Sequence, residues 1–417
     1  MDCISEKIES NARSYSRKFP TTFVYAANEI LTDTDGREYI DFLSGAGTLN
    51  FGHNNPVIKK AVTDYLNEDR ILHALDLFTE AKDELFHTLN DVLLAPRGLN
   101  YKILSCGPTG TNAVEAALKL ARKYTGRTNV FAFSGSFHGM SLGSLAMTAD
   151  SFSRRGAGVP LNNVTFMPYF NSFDDAMLSL DYMDNVLSDD HSGIDKPAAV
   201  FLETVQAEGG INVCPVHWLK RLSAICSLHD ILLIVDDIQV GVGRTGSFFS
   251  FERADIVPDM VILSKSIGGI GMPLALLMMK PELDCFDPAE HNGTFRGNQL
   301  AFVACNAAVK YYHDIDMDSI VRNKEVLIGE YLKERIMSLS PDIEIRGIGM
   351  IWGIDLSKLN KDIAADVQHG CFDDGLIIER AGRGDKVLKI LCPLLITQEK
   401  LLEGIDIIAA NIKKYLG

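Results

Sequence analysis

The chain has 417 residues, 47% hydrophobic and 23% charged, a globular composition with room for two or three domains that excludes a disordered, collagen-like or peptide-sized molecule. Forty Lys and Arg against 55 Asp and Glu leave a net charge of −15; with no basic patch to offset it, a nucleic acid partner is not expected. The longest apolar stretches, Ile231 to Val235 and Pro273 to Met279, fall far short of the roughly 18 residues that span a bilayer, so no membrane partner is expected either.

In chain order, Met1 to Ser16 mixes acids, bases and polar residues without an apolar run, so no secretory leader is expected. Candidate strands are Val130 to Phe133, Ala198 to Leu202, Ile231 to Val235, Met260 to Leu263 and Leu274 to Met279. Their near-continuous apolar character predicts strands buried on both faces, as in a mostly parallel sheet covered by helices. Asn112 to Tyr124 places Ala113, Ala116, Ala117, Leu120, Ala121 and Tyr124 on one helical stripe, and Val216 to Leu228 reads as a second helix. From about Lys310 a long helical stretch leads into short strands near Glu344 to Asp355 and a last helix, Gln398 to Leu416. The pattern predicts an α/β fold: a large domain over residues 51–310 with a mostly parallel central sheet, plus a smaller α+β domain from residues 1–50 and 311–417. Eight scattered cysteines without a C-x-x-C suit reduced thiols, which makes the cytoplasm the expected compartment and leaves no zinc pattern.

Three places carry chemistry. Gly107-Pro108-Thr109-Gly110-Thr111-Asn112 precedes the Ala-rich helix, and unpaired backbone N–H groups at a helix start favour an anion, though an ordinary capped loop reads the same way. Asp236, Asp237, Ile238 and Gln239 follow the run Ile231 to Val235, placing a carboxylate at the C-terminal end of a buried strand. Lys265 stands between an apolar run and Gly268-Gly269; burial there disfavours the ammonium form and leaves an amine able to form a Schiff base. Anion site, strand-end acid and strand-end lysine, in that order, suit pyridoxal phosphate. A formal G-x-G-x-x-G, Gly241 to Gly246, offers a nicotinamide alternative, but it is followed by the aromatic Phe248-Phe249-Ser250-Phe251 instead of a helix pattern.

Gly110-Thr111, Ser136-Phe137-His138-Gly139, Glu203 with Glu208-Gly209-Gly210, Asp236 to Gln239, Ser264-Lys265 and Gly293 to Asn298 together resemble the ordered motifs of the class III, fold-type I pyridoxal-phosphate aminotransferases. Residues 45–55, 108–117, 203–206 with 209–213, and 292–297 are most similar to the diaminobutyrate:2-oxoglutarate transaminase group of ectoine biosynthesis. The resemblance implies a homodimer or higher homo-oligomer with shared sites and a small-molecule amino donor and oxo-acid or aldehyde acceptor. It implies that Lys265 holds the cofactor covalently, that Asp236 bonds its pyridine nitrogen, that Gln239 reaches the ring hydroxyl and that Phe137 stacks on the ring beside His138. Gly110 and Thr111 are implied to bind the phosphate, and Thr294 to join them from the neighbouring subunit, near residues 73–78. No metal is implied.

Two departures shape the substrate expectation. Ornithine- and 4-aminobutyrate-type members carry an arginine where this chain has Met140, and many members have an arginine where this chain has Lys389. Lysine is a point charge without arginine's fork, which favours the diaminobutyrate type. The resemblance further implies that Glu208 pairs with the cation at 389 and swings away for glutamate. Another class III aminotransferase acting on a different terminal amine, and a racemase or aminomutase of the same fold, remain the alternatives.

Overall fold

The computed structural model describes residues 4–416. Its central sheet has seven strands in the order Lys102–Gly107, Ala275–Met279, Met260–Leu263, Leu232–Asp236, Ala199–Leu202, Val130–Phe133, Val164–Met167. Only Ala275–Met279 runs antiparallel to its neighbours. Side chains alternate between two covered faces. Leu233, Val235, Val261 and Leu263 pack with Trp218, Leu219 and Leu222 of the helix Val216–Leu228, whereas Ile234 and Ile262 pack with Ala113, Ala116, Ala117 and Leu120 of the helix Gly110–Thr125.

The five apolar runs are strands, shifted by at most one residue at an end. The apolar pattern does not reveal the two edge strands, Lys102–Gly107 and Val164–Met167. Edge positions are only half covered, so Lys102, Ser105 and Thr165 interrupt what would otherwise be apolar runs. The long helical stretch is two helices, Gln299–Asp314 and Met317–Arg335. The break comes at Asp316, which adopts a φ of +49° and accepts a hydrogen bond from the Ser319 amide to start the second.

An antiparallel sheet ordered Glu344–Ile348, Ile351–Asp355, Val387–Ile390, Glu379–Ala381 follows. The N-terminal strands Phe23–Ala27, Ile30–Asp33 and Glu38–Asp41 form a meander whose last member pairs in parallel with Leu376–Ile377, so the two ends of the chain share a sheet. No helix among the described residues is long and apolar enough to cross a membrane. Cys3 lies outside the described residues, and the other seven cysteines are unpaired thiols.

The loops leaving Lys102–Gly107, Val130–Phe133, Ala199–Leu202, Leu232–Asp236 and Met260–Leu263 all emerge at one edge of the sheet, the C-terminal ends of its parallel strands. Ligands of open α/β sheets bind there.

Candidate active site

Those loops enclose a cavity of about 150 Å³ lined by Gly110, Thr111, Phe137, His138, Glu203, Glu208, Asp236, Gln239 and Lys265, among others. Lys265 and seven other expected site residues thus line one cavity. The backbone at Lys265 is left-handed, with a φ of +52°, a conformation that costs a non-glycine residue free energy and is kept where the surroundings enforce it. They do so through the flanking serines: Ser264 Oγ donates to the Leu274 carbonyl (2.8 Å) and Ser266 Oγ to the Gly47 carbonyl (2.7 Å). Among the described residues the Lys265 amine has no hydrogen bond or ion pair. Burial pushes its pKa down, a shift that Glu208 partly opposes and Lys389 reinforces.

Asp236 closes its strand with Oδ1 accepting from the Ile238 amide (3.1 Å) and Oδ2 lying 2.7 Å from His138 Nδ1. Burial opposes a charge on His138, yet its bond to Asp236 raises its pKa. His138 therefore acts on the site chiefly through Asp236, while its own Nε2 is buried without a partner. Glu203, next to them, accepts from the Phe137 amide (3.0 Å), and burial pushes its carboxyl up to about 8. Asp237 turns away from the cavity, holds the Ser250 amide at 2.9 Å, and is pushed by burial to about 7.

At the helix start, the Gly110 and Thr111 amides have no carbonyl one turn earlier in the helix to donate to, whereas the Asn112 amide donates to the Thr109 carbonyl (3.0 Å). A Cβ at Gly110 would lie 2.6 Å from Ile238 Cδ1, so glycine is what keeps this corner open. The Thr111 hydroxyl is already engaged, bonded to Ser141 Oγ (2.5 Å) and to Ser144 Oγ. Gln239 Nε2 donates to the Ala46 carbonyl (3.0 Å) and Glu208 (3.1 Å), leaving its Oε1 buried and unpartnered.

Lys389, fully enclosed, donates to Glu208 Oε1 at 2.6 Å and lies 2.9 Å from Glu379 Oε2. Burial opposes its charge, but Glu208 and Glu379 keep its pKa raised; the two lysines hold Glu208 well below the usual carboxylate range against its own burial. Tyr15 donates to the other oxygen of Glu379 (2.8 Å). Tyr15 also lines a wider cavity of about 1000 Å³ that opens onto Lys265 and Glu208 and reaches Arg380 and Arg383. Sequence reasoning assigned no role to Glu203, Glu379 or Tyr15. Glu379 was findable only as the cross-strand partner of Lys389.

Thr294, expected to act from the neighbouring subunit, stands outside the Lys265 cavity of its own chain and borders a space of about 210 Å³ with Cys106, Gly107, Pro108 and Asn112. Residues 241–246 form turns and a bend that open no α-helix, the next helical piece being the single 3-10 turn Glu252–Ala254, which removes the premise of the nicotinamide reading. They serve as a structural knot: Arg244 is buried and donates to the Met350 carbonyl (3.0 Å), the Cys392 carbonyl and Asn50, and a Cβ at Gly243 would meet Tyr312 at 2.6 Å.

The family description "Aminotransferase class-III" matches residues 12–412. A diaminobutyrate–2-oxoglutarate transaminase of Halomonas elongata is 50% identical over 416 residues, 99% of this chain and 98% of that one. One of Halalkalibacterium halodurans is 48% identical over 412 residues, 98% and 96% respectively. The ornithine aminotransferase of Toxoplasma gondii, 23% identical, superposes with a TM-score of 0.87 over 99% of this chain and 94% of that structure.

Proposed function

The chain belongs to the class III aminotransferases, a pyridoxal-phosphate family, and from that premise we propose that it interconverts L-2,4-diaminobutyrate plus 2-oxoglutarate with L-aspartate 4-semialdehyde plus L-glutamate, as in ectoine-type synthesis. The observation that carries the reading is Lys265: an unpartnered amine with a lowered pKa, in a strained turn, facing the Asp236–His138 pair. The two named relatives support the substrate pair.

The residues present fit the cofactor. A glycine-opened helix start suits a phosphate, the orphaned Gln239 Oε1 and a carboxylate at the strand end offer polar partners, and Phe137 offers a ring face. Gly110 and Thr111 would hold the phosphate, chiefly through backbone N–H groups because the Thr111 hydroxyl is committed to serines. Asp236 would hold the pyridine nitrogen, Gln239 the ring hydroxyl and Lys265 the aldehyde carbon. Bound there, pyridoxal phosphate supplies an aldehyde that exchanges with amines and a pyridinium that accepts the electron pair left when a carbon–hydrogen bond breaks.

The chain's own residues do the rest. Asp236, oriented by His138, would bond the ring nitrogen and hold the proton there. Glu203, largely protonated at neutral pH, adds little competing charge. Lys265, once freed by an incoming substrate amine, would take the proton from the substrate carbon and deliver it to the cofactor carbon on the far side of the bridging nitrogen, a general acid–base role worth roughly 10² to 10⁴ in rate. Glu208 stays on Lys389 for the terminal-amine substrate and leaves it when glutamate brings a carboxylate to that point.

The active unit in this reading is a homodimer whose sites Thr294 and residues 73–78 complete across the interface. Support comes from the surface: Phe78 is 98% and Phe295 65% exposed, with Leu72, Leu75 and Leu77 exposed alongside and His73 in ring contact with Phe295 at 5.6 Å. The same reading divides the chain into residues 51–310 and a smaller unit of 1–50 with 311–417.

Borohydride reduction of the purified protein followed by peptide mass spectrometry tests the anchor. The expected result is a pyridoxyl adduct on Lys265, with glutamate formed from 2-oxoglutarate and diaminobutyrate by the wild type. An adduct on another lysine, or none, overturns the assignment.

A further inference from the structure

Lys389 sits between two carboxylates that are held in different ways. Glu379 is its register partner across the antiparallel strands Glu379–Ala381 and Val387–Ile390. The Glu379 side chain is only 7% exposed, with one oxygen fixed by Tyr15 at 2.8 Å and the other against Lys389 at 2.9 Å. Glu208 comes from the large sheet's loop, and its side chain is 32% exposed toward the cavity. Glu379 is built in; Glu208 has room to leave.

The charge arithmetic follows. Lys389 contributes one positive charge, Glu208 and Glu379 one negative charge each, so the cluster is anionic while Glu208 is in place. When Glu208 leaves, Lys389 is not an isolated buried cation, which would be strongly unfavourable, because Glu379 still neutralises it. A substrate carboxylate arriving in Glu208's place restores the same net charge. An ammonium has three N–H donors in a roughly tetrahedral array, enough for a fixed carboxylate and an exchangeable one.

We propose that Glu379, held by Tyr15, is a specificity-determining positioning residue that keeps Lys389 partly neutralised so that its grip on a substrate carboxylate is weak and exchangeable. This rests on the transaminase reading above. It explains how one pocket serves a partner with a carboxylate on the reacting carbon and a partner without one. Glu379 touches neither substrate nor cofactor; it acts through Lys389.

The test uses two unreactive probes on the cofactor-loaded protein, with affinities measured by isothermal titration calorimetry. Glutarate presents a carboxylate beside the position of the reacting carbon, and butyrate lacks it. Glu379→Gln keeps the shape and a hydrogen-bond acceptor for Tyr15 but removes one negative charge beside Lys389. It should bind glutarate at least about fivefold more tightly than the wild type, with butyrate affinity unchanged, because the removed charge lies within a few ångströms of the site. Tyr15→Phe, which loosens Glu379 without removing it, should move glutarate the same way by about twofold, a modest share of the full charge effect.

Glutarate affinity unchanged or weakened in folded Glu379→Gln protein overturns the proposal. So do equal gains for both probes, or no measurable glutarate binding in any variant. If Glu379→Gln does not fold, Tyr15→Phe decides alone, and an unchanged glutarate affinity there overturns it. Failure of the transaminase reading would show separately, as wild-type protein that forms no glutamate from 2-oxoglutarate and diaminobutyrate.

Discussion

Asp236 Oδ2 lies 2.7 Å from Nδ1 of His138, a contact between the end of one central strand and the loop leaving another. It fixes the carboxylate's orientation before any ligand arrives, since the other oxygen is held by the Ile238 amide. Preorganised charge of this kind needs no reorientation during the reaction.

Replacing His138 by Phe should therefore leave Asp236 held by the Ile238 amide alone. Steady-state turnover should fall by roughly 10- to 100-fold, within the range of a misplaced electrostatic or acid–base group, and cofactor should be lost faster on dialysis. Wild-type turnover in that variant would exclude the positioning role.

Glu208→Gln and Lys389→Met should separate the two half-reactions. With Glu208 neutral, Lys389 keeps less compensation, and the terminal-amine half-reaction should slow at least about tenfold more than the glutamate half-reaction. Lys389→Met should do the reverse. Stopped-flow absorbance on each half-reaction reads this, and equal slowing of both halves in both variants would count against an exchange at Lys389.

Glu203 gives a pH prediction. Its carboxyl is raised from the ordinary 4.5 to about 8 by burial, so the folded state binds the proton more tightly than the unfolded chain. That contribution to stability is complete below about pH 4.5 and is lost as pH rises through about 8. Asp237, raised to about 7, contributes with the same sign. Thermal melts of Glu203→Gln against wild type should show the variant's deficit or surplus drifting in its favour as pH increases from 5 to 8, because Gln cannot ionise. A difference in Tm that stays constant across that range would refute it.

Phe78→Asp should weaken self-association, because it replaces an almost fully exposed apolar ring of residues 73–78 with a charge. Sedimentation should show a dimer for the wild type and a larger monomer fraction with reduced activity for the variant. A wild type that is active as a 45.9 kDa species would remove the shared-site reading.

The candidate site was legible in sequence where a single chemistry-bearing residue type stands at the end of an apolar run. Lys265 and Asp236 are such residues, and their strands are central, buried on both faces and therefore continuous in composition. Tyr15 and Glu379 were not legible, because their roles exist only once residues 364 apart in sequence touch and a hairpin register sets Glu379 opposite Lys389. Thr111 shows an intermediate case: its position was readable, but the serines that occupy its hydroxyl come from a separate loop and helix. The edge strands escaped for a plainer reason, since partial exposure lets polar residues into them.

The sharing of one sheet by both ends of the chain has a consequence for synthesis. Glu29, beside the N-terminal meander, accepts from the Thr397 hydroxyl, 368 residues later, and Glu38–Asp41 has its parallel partner only at Leu376–Ile377. At roughly 5 to 20 residues per second, the meander emerges from the ribosome some tens of seconds before that partner exists. Over that interval its edge is an open pairing surface, while the strands of the central sheet are already complete by Met279. The nascent chain should thus carry a folded centre and an unfinished rim, and the rim is where chaperone contact or premature strand pairing between neighbouring nascent chains would concentrate.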